Sequence, residues 1–181
     1  MNKAIFLDRD GTINREKKYV FKIEDFEIND GVIEGLKQLQ DAGFILIVIT
    51  NQSGIARGYY DENDFHKLND WMTKYFLNYG IKIAHTYYCP HLPNSKISLY
   101  NQICNCRKPE LGLFLQAIND YNIDLSKSFA IGDKNRDLEI CKKSDCRGFQ
   151  IMNSNECKAY ENIENVKNFM EAVHKILKLN I

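Results

Sequence analysis

The chain has 181 residues, enough for a single domain that buries a core without disulfide staples. Its 24 Lys and Arg balance 24 Asp and Glu, and 44% of its residues are apolar. That composition excludes disorder, and the absence of basic excess argues against a general binder of nucleic acid or anionic membrane.

In chain order, Ala4, Ile5, Phe6 and Leu7 form a short apolar run ending at Asp8, a buried strand too brief to be a signal-peptide core. Val32, Ile33, Leu36 and Leu39 recur at helical spacing, and Gly43 stops them. Residues 44–49 read as a second buried strand, far below the ~20 apolar residues that span a bilayer. Phe65, Leu68, Met72, Phe76 and Tyr79 form another helical stripe, and residues 81–88 a third extended run. Leu111, Phe114, Leu115, Ile118 and Tyr121 mark a helix. Residues 129–131 predict a fourth strand, with Leu138 and Cys141 on the helix behind it, and residues 149–151 a fifth. A terminal amphipathic helix is expected over about 164–178. The alternation predicts an α/β domain spanning 1–181: a Rossmann-like parallel sheet with helices on both faces and no large cap domain. A soluble, cytoplasmic monomer is expected, with its six cysteines as thiols or metal ligands.

Ligands of such sheets bind beyond the carboxyl ends of the strands. The first strand is followed by Asp8-Arg9-Asp10-Gly11-Thr12, the second by Thr50-Asn51-Gln52-Ser53-Gly54 and the fourth by Gly132-Asp133-Lys134, with Asp137 one helical turn later. Arg107-Lys108-Pro109 precedes the third helix. Any one of these could be ordinary turn chemistry. Jointly, Asp8, Asp10 and Asp133 converge on one edge. Three carboxylates ~4 Å apart repel by roughly 4 kcal/mol per pair at an effective dielectric near 20, so the cluster calls for a hard cation such as Mg²⁺. A cation beside carboxylates, a Thr and a Lys is a phosphoryl-transfer site. Asp8 can attack phosphorus and Asp10 can move protons, while Thr50 and Lys108 stabilise charge.

Cys89, His91, Cys104 and Cys106 lie in a Pro-, Asn- and Ser-containing loop over 89–106, longer than the ~12–15 residues usual for loops without structure. Three thiolates and an imidazole complete a tetrahedral Zn²⁺ site with no open position, which makes the metal structural. The alternative is that these cysteines are small buried hydrophobes. Cys141, Cys146 and Cys157 read as free thiols.

The four segments around Asp8, Thr50, Lys108 and Asp133 resemble, in order, the four motifs of the haloacid dehalogenase (HAD) superfamily of phosphatases. Residues 49–58 are similar to the group acting on D-glycero-D-manno-heptose 1,7-bisphosphate and to its relative, the histidinol-phosphate phosphatases. The likeness runs from about Ala4 to Asp137 and includes the Cys-x-His and Cys-x-Cys loop. It implies Mg²⁺ on Asp8, Asp133 and the backbone carbonyl of Asp10. It implies Asp8 as nucleophile, Asp10 as acid and base, and Thr50 and Lys108 on the phosphoryl group. Tyr19, Asn51, Gln52, Ser53, Arg57, Arg107 and Lys134 are the remaining substrate-binding candidates. The expected function is a Mg-dependent phosphatase releasing the 7-phosphate of the heptose bisphosphate for surface polysaccharide, with a small phosphorylated sugar as partner and neither nucleic acid nor membrane. Histidinol phosphate is the alternative substrate, and a polynucleotide 3′-phosphate a poorer third. A non-hydrolytic phospho-acceptor or binding module is the alternative of another class; Asp10 and the cysteine loop speak against it.

Overall fold

A computed structural model of the chain describes residues 1–152 and 160–179; Cys157 lies outside them. Six parallel strands form one sheet: β1 (Ala4–Leu7), β2 (Ile45–Asn51), β3 (Ile83–Cys89), β4 (Phe129–Gly132), β5 (Arg147–Ile151) and β6 (Ile163–Val166), in the order β3-β2-β1-β4-β5-β6.

The two-residue period of a strand sends alternate side chains to opposite faces. Ile5, Leu7, Leu46 and Val48 join one core layer, and Ala4, Phe6, Ile47 and Ile49 the other. Helix α2 (Ser53–Ala56) is a single turn after β2; helices α1 (Val32–Asp41), α3 (Glu62–Leu77) and α6 (Phe169–Leu179) cover the first layer through Leu36, Met72, Phe76 and Val173. Helices α4 (Gly112–Tyr121) and α5 (Glu139–Lys142) cover the second through Phe114, Ala117 and Ile140. Phe6 meets Phe114 edge-on at 5.4 Å between ring centroids. Asp61 caps α3 by accepting from the amide of Asp64 at 2.9 Å, the usual N-terminal role of a carboxylate.

The sheet grows from β1 to β3 in one direction and then restarts with β4 on the other side of β1. The chain therefore splits between the carboxyl ends of β1 and β4, where a crevice opens. The amide of Asp8 donates to the carbonyl of Ile131 at 3.1 Å and stitches these two ends together.

The C-terminal region departs from expectation. Residues 163–166 are strand β6, paired with β5, and the helix begins at Phe169 rather than near 164. Ile163 and Val166 are buried while Glu164 is exposed. Two apolar residues three apart fit a helical stripe, and nothing local distinguishes them from the helix that follows. Among the described residues, no helix is long and apolar enough to cross a membrane. No cap domain is inserted between the described strands and helices.

Helices α1 and α6 approach closely over Gly35, where an added Cβ would stand 2.8 Å from both Phe169 Cε1 and Val173 Cγ2. Gly35→Val is expected to destabilise the protein by about 1–3 kcal/mol through overpacking, read as a lower midpoint in urea unfolding.

Candidate active site

The crevice holds a pocket of about 550 Å³. Its walls include Asp8, Asp10, Thr50, Asn51, Gln52 and Ser53 from the ends of β1 and β2. Arg57, Arg107 and Lys134 join them, as do Glu16 and Tyr19 of the loop after β1. Every substrate-binding candidate from the sequence except Lys108 lines this pocket.

Lys108 lies behind Asp8. Its ammonium, 1% exposed, is 2.7 Å from Asp8 Oδ1 and 2.8 Å from Asp137 Oδ1, and donates to the carbonyl of Ile49 at 2.6 Å. Burial alone would lower the Lys108 pKa, but Asp137 and Asp8 hold it above its ordinary value. The backbone around it is fixed by Asn51, whose side chain accepts from the amide of Lys108 and donates to its carbonyl, each at 3.0 Å. Asn51 thus uses its amide to align β2 with the Lys108 segment.

Asp8, Asp133 and Asp137 each bring a carboxylate oxygen within 4.8 Å of the others, a set able to hold a metal ion. Asp137 replaces Asp10 in the carboxylate cluster expected from sequence. The reason is local. Asp10 Oδ2 accepts from Arg9 Nε at 3.1 Å and from Gln52 Nε2 at 3.0 Å. Its Oδ1 accepts from Arg9 Nη2 at 3.0 Å and from Asn14 Nδ2 at 3.1 Å. These four donors hold the Asp10 side chain apart from the cluster. Asp137 was visible in the sequence as the acid one turn after Asp133; its pairing with the buried Lys108 was not.

The carboxylate cluster fits a hard cation. Oxygen donors alone favour such an ion. Asp133 Oδ1 is buried and has no hydrogen-bond partner, a costly state for an acceptor. Burial and the neighbouring Asp137 raise the Asp133 pKa. Burial, with Asp137 and Asp133 beside it, lifts Asp8 to about 7 despite the attraction of Lys108. A divalent ion among these oxygens would reverse both effects. Gly11 makes room for the cluster: at φ +92° it occupies the left-handed region, and a Cβ there would collide with the Asp133 carboxylate.

The second donor set is sulfur and nitrogen. Cys106 Sγ lies 3.1 Å from both Cys89 Sγ and Cys104 Sγ, and the latter two are 3.6 Å apart. His91 Nδ1 is 3.2 Å from Cys106 Sγ and 3.6 Å from Cys89 Sγ. A tetrahedron with bonds of about 2.3 Å has edges of about 3.7 Å, so the four donors are gathered as a small soft-ligand metal requires. Arg107 leaves this loop toward the pocket and donates from Nη1 to the carbonyl of His91 at 3.1 Å. Burial lowers the Arg107 pKa.

At the pocket mouth, Lys134 Nζ is 2.9 Å from Glu16 Oε2 and 3.3 Å from Asp133 Oδ2. Burial opposes the Lys134 charge, but the hydrogen bond to Glu16 and the charge of Asp133 leave its pKa raised. Tyr19 is partly exposed, meets Tyr59 edge-on at 4.8 Å and carries the Arg57 guanidinium over its ring at 6.0 Å. Lys18, Tyr60 and Arg136 also line the pocket; Tyr60 and Arg136 were not singled out from sequence.

A carboxylate paired with a buried ammonium, beside a carboxylate cluster at the switch point of a parallel sheet, fits a HAD-type phosphatase. The family model described as polynucleotide kinase 3 phosphatase matches residues 3–172. The crystal structure of D,D-heptose 1,7-bisphosphate phosphatase from B. bronchiseptica, complexed with magnesium and phosphate, superimposes with a TM-score of 0.84 at 26% identity, covering 98% of this chain and 99% of that one. The D-glycero-beta-D-manno-heptose-1,7-bisphosphate 7-phosphatase of Haemophilus ducreyi is 51% identical over 137 residues, 75% of each chain. The D-glycero-alpha-D-manno-heptose-1,7-bisphosphate 7-phosphatase of Campylobacter jejuni is 41% identical over 174 residues, 93% of this chain and 96% of the relative. The chain belongs to the D-glycero-D-manno-heptose-1,7-bisphosphate 7-phosphatase family.

Asp137→Ala would leave the Lys108 ammonium buried with one carboxylate fewer. A loss of about 3–5 kcal/mol in urea unfolding is expected. Lys37→Ala, which breaks the exposed pair with Asp41, is expected to cost no more than about 1 kcal/mol.

Proposed function

We propose that the protein removes the 7-phosphate of D-glycero-D-manno-heptose 1,7-bisphosphate with Mg²⁺, through an aspartyl-phosphate on Asp8. The observation that carries this reading is the Asp8 carboxylate at the pocket, held at Oδ1 by Lys108 and flanked by the unpartnered oxygen of Asp133. Asp8 Oδ2 is the oxygen left to attack phosphorus. The P–O bond to C7 breaks, and Asp10 gives a proton to the leaving oxygen. Asp10 then takes a proton from the water that attacks the phosphorus, the bond from phosphorus to Asp8 breaks, and inorganic phosphate leaves.

Asp8, Asp133 and the backbone carbonyl of Asp10 would hold Mg²⁺, with Asp137 at hand; the ion supplies charge neutralisation for the phosphoryl oxygens. Thr50 donates its hydroxyl to one of those oxygens. Lys108 acts from behind Asp8, contributing positive charge and fixing the attacking carboxylate. Arg57, Arg107 and Lys134, with Tyr19, Asn51 and Ser53, would hold the sugar and its second phosphate. A small cavity rimmed by cations suits a compact bisphosphate. Zn²⁺ on Cys89, His91, Cys104 and Cys106 would be structural, anchoring the loop that delivers Arg107. The reaction would take place in the cytoplasm and feed activated heptose into surface polysaccharide.

Phosphate release with Mg²⁺ is the direct test, run on both anomers of the heptose bisphosphate, histidinol phosphate and a 3′-phosphorylated oligonucleotide. The heptose bisphosphate is expected to have the highest kcat/KM, and Asp8→Asn to lose at least ~10³-fold in kcat. Turnover of histidinol phosphate or the oligonucleotide alone would overturn the substrate assignment. For the second metal, Cys104→Ser is expected to lose about one zinc per chain by elemental analysis and to lower the thermal midpoint by roughly 5–15 °C.

A further inference from the structure

Gln52 is 2% exposed, and both ends of its amide are engaged inside the protein. Its Oε1 accepts from the Tyr60 hydroxyl at 2.6 Å and from Arg9 Nη2 at 3.3 Å. Its Nε2 donates to Thr50 Oγ1 at 2.8 Å and to Asp10 Oδ2 at 3.0 Å. An amide can sit either way round, and its partners decide which. A guanidinium can only donate, so Arg9 assigns the carbonyl end, and the short Tyr60 bond reinforces that choice. The two amide hydrogens are thereby directed at the two groups that the proposed chemistry needs.

The consequence for Thr50 is directional. Its oxygen already accepts from Gln52, so its own hydroxyl proton is left to donate. Among the described residues, no acceptor takes that proton, and Thr50 lines the pocket. For Asp10, Gln52 is the donor that links Oδ2 to the floor of β2, whereas Arg9 and Asn14 tie it to its own loop.

We propose that Tyr60 is a positioning residue that, through Gln52, aims the Thr50 hydroxyl and the Asp10 carboxylate at the reacting phosphoryl group. The inference rests on the phosphatase chemistry above, not on the identity of the sugar. Tyr60 touches neither catalytic group directly. Its ring is held independently of its hydroxyl, stacked on Phe21 at 5.0 Å between centroids and packed against Gly54. Removing the hydroxyl alone leaves that packing in place.

The two arms have different signatures. Stabilising phosphoryl charge through Thr50 matters for every ester. Proton delivery by Asp10 matters most when the leaving group is a poor one, such as a sugar alkoxide, and least when it is p-nitrophenolate. The test compares Tyr60→Phe with the wild type on p-nitrophenyl phosphate and on whichever of heptose bisphosphate and histidinol phosphate the wild type hydrolyses. The expected result is a kcat lower by roughly three- to tenfold on the alkyl ester, the scale of one lost hydrogen bond. A smaller loss is expected on the aryl ester, with KM near that of the wild type on both. Gln52→Glu, which places a carboxylate oxygen beside Asp10 where the amide donated, is expected to lose more than Tyr60→Phe on the alkyl ester and to lower the thermal midpoint, whereas Tyr60→Phe keeps its midpoint within a few degrees of the wild type. Unchanged turnover in Tyr60→Phe, an equal loss on the two esters, or an effect confined to KM would overturn the proposal. Failure of the wild type on heptose bisphosphate would sink only the substrate reading, since the comparison then runs on the other esters.

Discussion

Three acceptors around one buried ammonium organise this molecule. A fully desolvated lysine is untenable unless its charge is matched. Here Asp8, Asp137 and the carbonyl of Ile49 match it. Those partners come from the end of β1, the turn after β4 and the body of β2, while Lys108 itself arrives from the loop that follows β3. One cation thus ties together four separate stretches of chain at the switch point of the sheet. The same contact fixes the carboxylate proposed to attack phosphorus, so folding and the proposed chemistry depend on a single electrostatic balance.

The fold was largely legible because its strands are short, apolar and bounded. Ala4–Leu7 reads the same from composition as from structure, since a run buried on both faces needs no alternation. β6 escaped because its polar residues, Glu164 and Asn165, leave only Ile163 and Val166 to signal burial, at a spacing that also suits a helix. The site was legible as a set of residues at strand ends, but its internal pairing was not. Arg9 stands between two acids in the sequence, and nothing there shows that its guanidinium captures Asp10. Asp137 was noticed only as a neighbour of Asp133, because its significance depends on a lysine far away in sequence. Tyr60 gave no signal: a tyrosine in a turn is indistinguishable from packing until its hydroxyl is seen on Gln52.

The two donor clusters divide labour by softness. Oxygen atoms gather beside the pocket, where the proposed cation would share its coordination sphere with substrate. Sulfur atoms gather in the loop over 89–106, where the donor set is already complete. The Arg107 guanidinium bridges the two regions by bonding to the His91 carbonyl while reaching the pocket wall. With no cap domain among the described elements, the mouth is shaped by short segments that carry Glu16, Tyr19, Arg57 and Arg107. Such a rim can change its ligand preference while the carboxylate floor stays as it is.

Gly11 shows how tightly that floor is specified. Its missing side chain is space taken up by Asp133, a residue contributed by the opposite half of the sheet. The first and last acidic segments are therefore sterically interlocked and cannot drift apart in evolution one at a time. A hybrid assembled from the front half of one homologue and the back half of another would keep its centre only where both parents had honoured that same hollow.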